Sequence, residues 1–123
     1  MKHLNLMIID DEQRYADMLA KRLALRGLIC TVRYDGESAL KTLDEERFPV
    51  VLLDLQLPDL YGTEVLQRLK ERRPETVVLI LTGHGTEKDR KVCMALGAHA
   101  FLNKPLSIDR LMDILADIRG LPE

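Results

Sequence analysis

Val50-Val51-Leu52-Leu53-Asp54 is a continuous apolar run that ends in one carboxylate, flanked by Pro49 and Pro58. No other stretch limits the available folds as strongly. Four consecutive Val/Leu residues without polar alternation read as a strand covered on both faces, the condition of a parallel sheet. Asp54 then stands at the carboxyl end of that strand. Ligands of open α/β sheets bind beyond this edge, so an acid there is a candidate site residue. The plainer reading is a turn-forming Asp, and the neighbouring segments must decide between the two.

Those segments repeat one pattern. Residues 4–9 form a short apolar strand that runs into Asp10-Asp11-Glu12, and Tyr15, Met18, Leu19 and Leu23 then recur at helical spacing until Gly27. Residues 28–34 give a second strand, Asp35-Gly36 a turn, and Ala39, Leu40 and Leu43 a second helical stripe. After the third strand, a loop through Pro58 and Gly62 leads to a helix carrying Val65, Leu66 and Leu69, closed by Pro74. Residues 77–81 are a fourth strand ending in Thr82-Gly83-His84-Gly85, and Thr86 with Asp89 marks a helix start. Residues 98–102 are the fifth strand, followed by Asn103-Lys104-Pro105. Ser107 caps a last helix with Leu111, Ile114, Leu115 and Ile118 on one stripe.

Strict alternation of strands and helices requires a parallel sheet with right-handed crossovers and helices on both faces. Five such units predict an α/β, flavodoxin-like, doubly wound (βα)5 fold of strand order 2-1-3-4-5, with the switch point between strands one and three. With 123 residues, 46% of them hydrophobic and 31% charged, the chain has the size and balance of one globular domain spanning 1–123. A net charge of −2 and the lack of a dense Lys/Arg cluster argue against direct nucleic-acid binding. Cys30 and Cys93 lack metal-ligand spacing and read as reduced core residues. The amino end lacks the apolar core of a secretion signal, and no apolar run approaches the roughly 18 residues of a membrane span, so a cytoplasmic protein without a membrane segment is expected.

The predicted topology gathers Asp10, Asp11, Asp54, Thr82 and Lys104 at one sheet edge. Carboxylates crowded there repel one another unless cations are present. Three aspartates, Lys104 and one divalent ion sum to zero charge. Mg²⁺ suits such a site, because it takes one or two carboxylates and completes its shell with water and phosphate oxygens. Zinc does not: thiolates are absent from this edge, and His3, His84 and His99 are scattered and read as surface or loop residues. A carboxylate beside a metal, an ammonium and a hydroxyl can attack phosphorus and form an aspartyl phosphate.

Ile8-Ile9-Asp10-Asp11-Glu12, Leu52-Leu53-Asp54-Leu55-Gln56-Leu57-Pro58, Leu81-Thr82-Gly83 and Phe101-Leu102-Asn103-Lys104-Pro105-Leu106 together resemble the receiver domain of two-component response regulators. The resemblance runs from Leu4 to about Arg119. It implies that Asp54 is the phosphoacceptor, supplied by a phosphohistidine on a histidine kinase or histidine phosphotransfer protein. It further implies Asp11, Asp54 and the Gln56 backbone carbonyl as direct Mg²⁺ ligands, Asp10 acting through water, Lys104 pairing with Asp54, and a cis Lys104-Pro105 bond. Thr82 and Phe101 resemble the switch pair, and Gln56 and His84 stand at the positions that tune autodephosphorylation. The implied output surface is the helix of residues 86–96, the fifth strand and the helix from Ser107, where receivers usually dimerise or engage an output domain. Pro49 departs from an acidic residue often found at its position.

Three alternatives compete. An aspartyl-nucleophile phosphatase of the haloacid-dehalogenase type would carry a second aspartate where Gln56 stands. A flavodoxin-like cofactor binder needs a phosphate loop where Asp10-Asp11-Glu12 would repel one. A phosphorylation-independent interaction module would not need all five chemical positions filled. Gly120-Leu121-Pro122-Glu123 is expected to begin a linker.

Overall fold

A computed structural model describes residues 4–121; His3, and Pro122 and Glu123 of the expected linker start, lie outside them. Five strands and five helices alternate: β1 (Asn5–Ile9), α1 (Gln13–Ala24), β2 (Ile29–Arg33), α2 (Gly36–Glu45), β3 (Val50–Leu53), α3 (Gly62–Arg72), β4 (Val77–Thr82), α4 (Glu87–Ala95), β5 (Ala100–Asn103) and α5 (Ile108–Asp117). All strand pairs are parallel, in the order β2-β1-β3-β4-β5. This is the (βα)5 doubly wound sheet expected from the alternation.

The apolar runs are continuous because each face of the sheet has its own helical cover. Met7, Ile9, Val51, Leu53, Val78 and Ile80 point to one side, against Leu40 and Leu43 of α2, Val65, Leu66 and Leu69 of α3 and Cys93 of α4. Leu6, Ile8, Val50, Leu52, Leu79 and Leu81 point to the other, against Leu19 and Leu23 of α1 and Leu111 and Leu115 of α5. Every residue of β3 is buried, as a central strand between two helical layers requires. Among the described residues no helix is long and apolar enough to cross a membrane.

Local chemistry sets the helix ends. Asp35, Thr86 and Ser107 accept backbone bonds from Ser38, Asp89 and Arg110 at the starts of α2, α4 and α5, and Thr86 and Asp89 form a reciprocal capping box. Gly27 and Gly97 follow α1 and α4 with positive φ, the conformation that closes a helix. Helix α1 stops at Ala24 rather than continuing to Gly27, because the Arg26 and Gly27 amides turn back onto the Leu23 and Ala24 carbonyls. Strand β5 begins at Ala100 rather than Ala98, whose amide is still bound to the Cys93 carbonyl of α4. Both cysteines are free; Cys93 is in the core, whereas Cys30 is only half-buried because β2 is an edge strand.

Candidate functional site

The ladder continues one residue past the ends of β1 and β3. The Asp10 amide donates to the Arg33 carbonyl at 3.0 Å and the Asp54 amide to the Ile9 carbonyl at 2.9 Å. Adjacent strands thus deliver two carboxylates side by side at the switch point. The Lys104 amide donates to the Thr82 carbonyl at 2.9 Å, and the following Lys104-Pro105 bond is cis, as expected. Asp10 and Asp54 are buried, at 3% and 4% exposure, and the Lys104 side chain is shielded to 8%.

The Lys104 ammonium is shared among three carboxylates: Asp10 Oδ2 at 2.7 Å, Glu12 Oε1 at 2.8 Å and Asp54 Oδ2 at 3.0 Å. Its donors are all used. Burial works to lower the Lys104 pKa, but the bonds to Asp10, Glu12 and Asp54 outweigh it and hold the group charged, with its pKa raised. Asp10 moves the opposite way from a paired acid: burial, reinforced by the Asp54 charge, lifts it to about 6 despite bonds from Lys104 and the Glu12 amide. One ammonium thus relieves only part of the crowding.

Carboxylate oxygens of Asp10, Glu12 and Asp54 lie within 4.8 Å of one another, a donor set of hard oxygens that fits a small divalent cation. Asp11 is exposed and stands outside this group. Glu12, which directly follows the acidic pair, is a member of the group that the sequence pattern does not single out. Asp54 Oδ1 accepts only a long 3.3 Å bond from the Gln56 amide.

Loop geometry aims Asp54. Gln56 forms an isolated antiparallel bridge with Tyr61, and the Gly62 amide bonds to the Leu55 carbonyl at 3.0 Å, folding the loop back on itself. A Cβ at Gly62 would collide with the Leu55 Cα and lie 2.8 Å from the Asp54 carbonyl oxygen, so this approach requires glycine. Asp59 ties the same loop to α2 by accepting from the Gly36 and Glu37 amides at 2.8 and 2.9 Å.

Thr82 is buried, and its hydroxyl is without a hydrogen-bond partner among the described residues. Beside it, a cleft of about 360 Å³ is lined by Gln56, Tyr61, Thr82, His84 and Asp89 among others, which places both expected rate-tuning residues on one opening. Phe101 is half-buried; its ring lies over Gly85, where a Cβ would come within 2.6 Å of its Cε2 and 2.9 Å of the Thr82 Cγ2. His84 and His99 are exposed, as expected.

The family model for the response regulator receiver domain matches residues 6–116. Among curated proteins, the chain is 37% identical over 117 residues to the sensory transduction protein RegX3 of Mycobacterium tuberculosis, covering 95% of this chain and 50% of that protein. It likewise spans about half the length of the other leading curated relatives. Among solved structures, it is similar to a CheY-like receiver domain from Methanospirillum hungatei, with a TM-score of 0.90, 24% identity and coverage of 94% and 92% of the two chains. It is also similar to a Burkholderia pseudomallei response regulator solved with a phosphorylated aspartic acid and a calcium ion, with a TM-score of 0.85, 28% identity and coverage of 94% and 66%. The chain therefore belongs to the response regulator receiver domain family, the phosphorylatable signalling domains of two-component systems.

Proposed function

We propose that Asp54 is the phosphoacceptor of this domain, charged from a phosphohistidine on a histidine kinase or histidine phosphotransfer protein in the cytoplasm. The observation that carries this reading is the Lys104 ammonium, held 3.0 Å from Asp54 Oδ2 in a pocket whose remaining charge is negative. With Oδ2 committed to Lys104, Oδ1 is the oxygen with lone-pair capacity for attack. An O–P bond forms at Asp54 as the donor's N–P bond breaks, and imidazole leaves.

Asp54 and the Gln56 carbonyl would hold Mg²⁺ directly, joined by Asp11 once its exposed side chain turns toward the ion, with Asp10 acting through water; when bound, the ion would neutralise charge on the acceptor and phosphoryl oxygens. Lys104 exchanges one carboxylate partner for a phosphoryl oxygen while remaining charged throughout. Thr82 supplies the next donor: a buried hydroxyl without a partner gains a hydrogen bond when an acceptor arrives within reach. Its movement toward the phosphoryl group opens space into which the Phe101 ring turns, and Phe101, without a hydroxyl, reports the change by packing alone.

The output surface in this reading is α4, β5 and α5. Helix α4 buries only Cys93 and leaves Val92 and Met94 partly exposed, at 40% and 38%, so apolar area remains there for a second receiver or an output domain. Gln56 and His84, facing the same cleft, set how readily water reaches the acyl phosphate.

Incubation with Mg²⁺ and acetyl phosphate tests the reading. The expected result is one base-labile phosphoryl group per chain, absent without Mg²⁺ and absent in Asp54→Asn. Equal labelling of Asp54→Asn would overturn it, and sustained turnover of phosphomonoesters would point instead to a phosphatase.

A further inference from the structure

Lys104 must remain charged while its side chain is almost wholly withdrawn from water, so the groups that enclose it matter as much as those that bond it. Besides the carboxylates, the ammonium meets Tyr15 of α1: the Lys104 Nζ stands 4.8 Å from the centroid of its ring. Tyr15 is half-buried and packs with the α1/α5 side of the core, and its buried hydroxyl has the Leu106 backbone as its polar neighbour. The phenol oxygen bonds none of the carboxylates of the site, while the ring face meets the Lys104 ammonium.

We infer that Tyr15 is a positioning residue for Lys104, its ring acting as a cation–π floor that keeps the ammonium within reach of Asp54 instead of being carried toward solvent with the Glu12 side chain it also bonds. The physical basis is the ring quadrupole, whose negative face attracts an ammonium most strongly when both are withdrawn from water. Lysine carries its charge on a flexible four-carbon stem with no orientation of its own, so the walls around it determine where the charge sits. Asp10 and Asp54 pull Nζ inward, whereas Glu12, 62% exposed in its side chain, pulls it toward solvent. The ring favours the inward position. The inference rests on the phosphoacceptor reading only for its kinetic arm.

A residue that merely fills core volume makes a different prediction from one that acts through its π face, and replacing Tyr15 by phenylalanine and by phenylalanines of increasing fluorination separates them. These side chains keep the shape and weaken the quadrupole stepwise. In the full 123-residue chain with saturating Mg²⁺, Tyr15→Phe, which keeps the π face, is the reference against which the rates of the fluorinated variants with acetyl phosphate are read. The most fluorinated variant should be roughly 2- to 30-fold slower, the span expected for a cation–π contact between exposed and desolvated limits. Rates that do not change along the series overturn the inference.

The second readout does not depend on phosphorylation. In the metal-free protein the Lys104 ammonium should give a slowly exchanging ¹⁵N–¹H signal shifted by the ring current, retained in Tyr15→Phe and lost in Tyr15→Leu of matched thermal stability. A signal unaffected in Tyr15→Leu would overturn the inference even if the kinetics moved. If the native chain fails to accept phosphate while the ammonium signal behaves as expected, the phosphoacceptor reading falls and the Tyr15–Lys104 contact stands.

Discussion

Lys104 and Asp54, fifty positions apart in the chain, meet at 3.0 Å between Nζ and Oδ2 in a pocket nearly closed to solvent. The contact is made because β5 and β3 end at the same edge of the sheet, with β4 between them.

Removing that charge leaves two buried carboxylates facing each other. Lys104→Met should destabilise the metal-free protein by about 1–3 kcal/mol, below the usual cost of breaking a buried pair because Asp10 can take up a proton in relief. Mg²⁺ should restore much of the loss. Thermal melts of both proteins with and without Mg²⁺ check this, and an equal deficit in both conditions would argue against shared neutralisation of the pocket.

Proton and metal should compete at Asp10. Burial raises this carboxyl to about 6, above its value of 3.8 in an unfolded chain, so the folded state holds the proton more tightly. In the metal-free protein its contribution to stability is therefore greatest below pH 4, falls as pH rises from 4 to 6 and is flat above. Mg²⁺ affinity should run the other way, weakening as pH drops through about 6. Calorimetric titration at pH 5 and pH 7.5 should show the loss together with proton release on binding at the lower pH; pH-independent affinity over this range would contradict it.

Thr82 holds a hydroxyl that gains nothing in the resting fold. Thr82→Val keeps the shape and removes the unpaired group, so it should leave the unphosphorylated protein as stable or more stable by up to about 2 kcal/mol. It should also abolish the phosphorylation-dependent change at Phe101. Equilibrium unfolding and side-chain NMR of Phe101, with and without phosphodonor, read the two effects separately.

Gly62→Ala places a methyl group against backbone rather than a movable side chain. The loop carrying Gln56 must then shift, at a cost of about 1–3 kcal/mol. Because Asp54 O is one of the obstructing atoms, the rate of phosphorylation should fall as well. Retention of both stability and rate would mean that the loop has more freedom than its hydrogen bonds suggest.

Much of this arrangement was legible in the letters. Uniform apolar runs such as Val50–Leu53, bounded by prolines, read as interior parallel strands, and once five βα units are counted, the meeting of Asp10, Asp54 and Lys104 follows from topology. Side-chain reach was not legible. Glu12 opens the approach to α1, and nothing in its position shows that its carboxylate extends back to Lys104 at 2.8 Å. Tyr15 fits the apolar stripe of α1 so well that its second contact, across the sheet edge, leaves no trace in periodicity. Asp59 looks like an ordinary turn residue, yet it caps a helix 23 positions earlier. Asp11, adjacent to Asp10, faces solvent because successive residues leaving a strand point in opposite directions.

The central claim is that the phosphoryl group goes to one oxygen-bearing side chain among several crowded acids. Borohydride reduction of the protein after exposure to acetyl phosphate and Mg²⁺ converts an aspartyl phosphate to homoserine, and tandem mass spectrometry locates the change. Homoserine at position 54 alone is the predicted result; homoserine at position 10 or 11, or no reduced residue in a labelled protein, would contradict it.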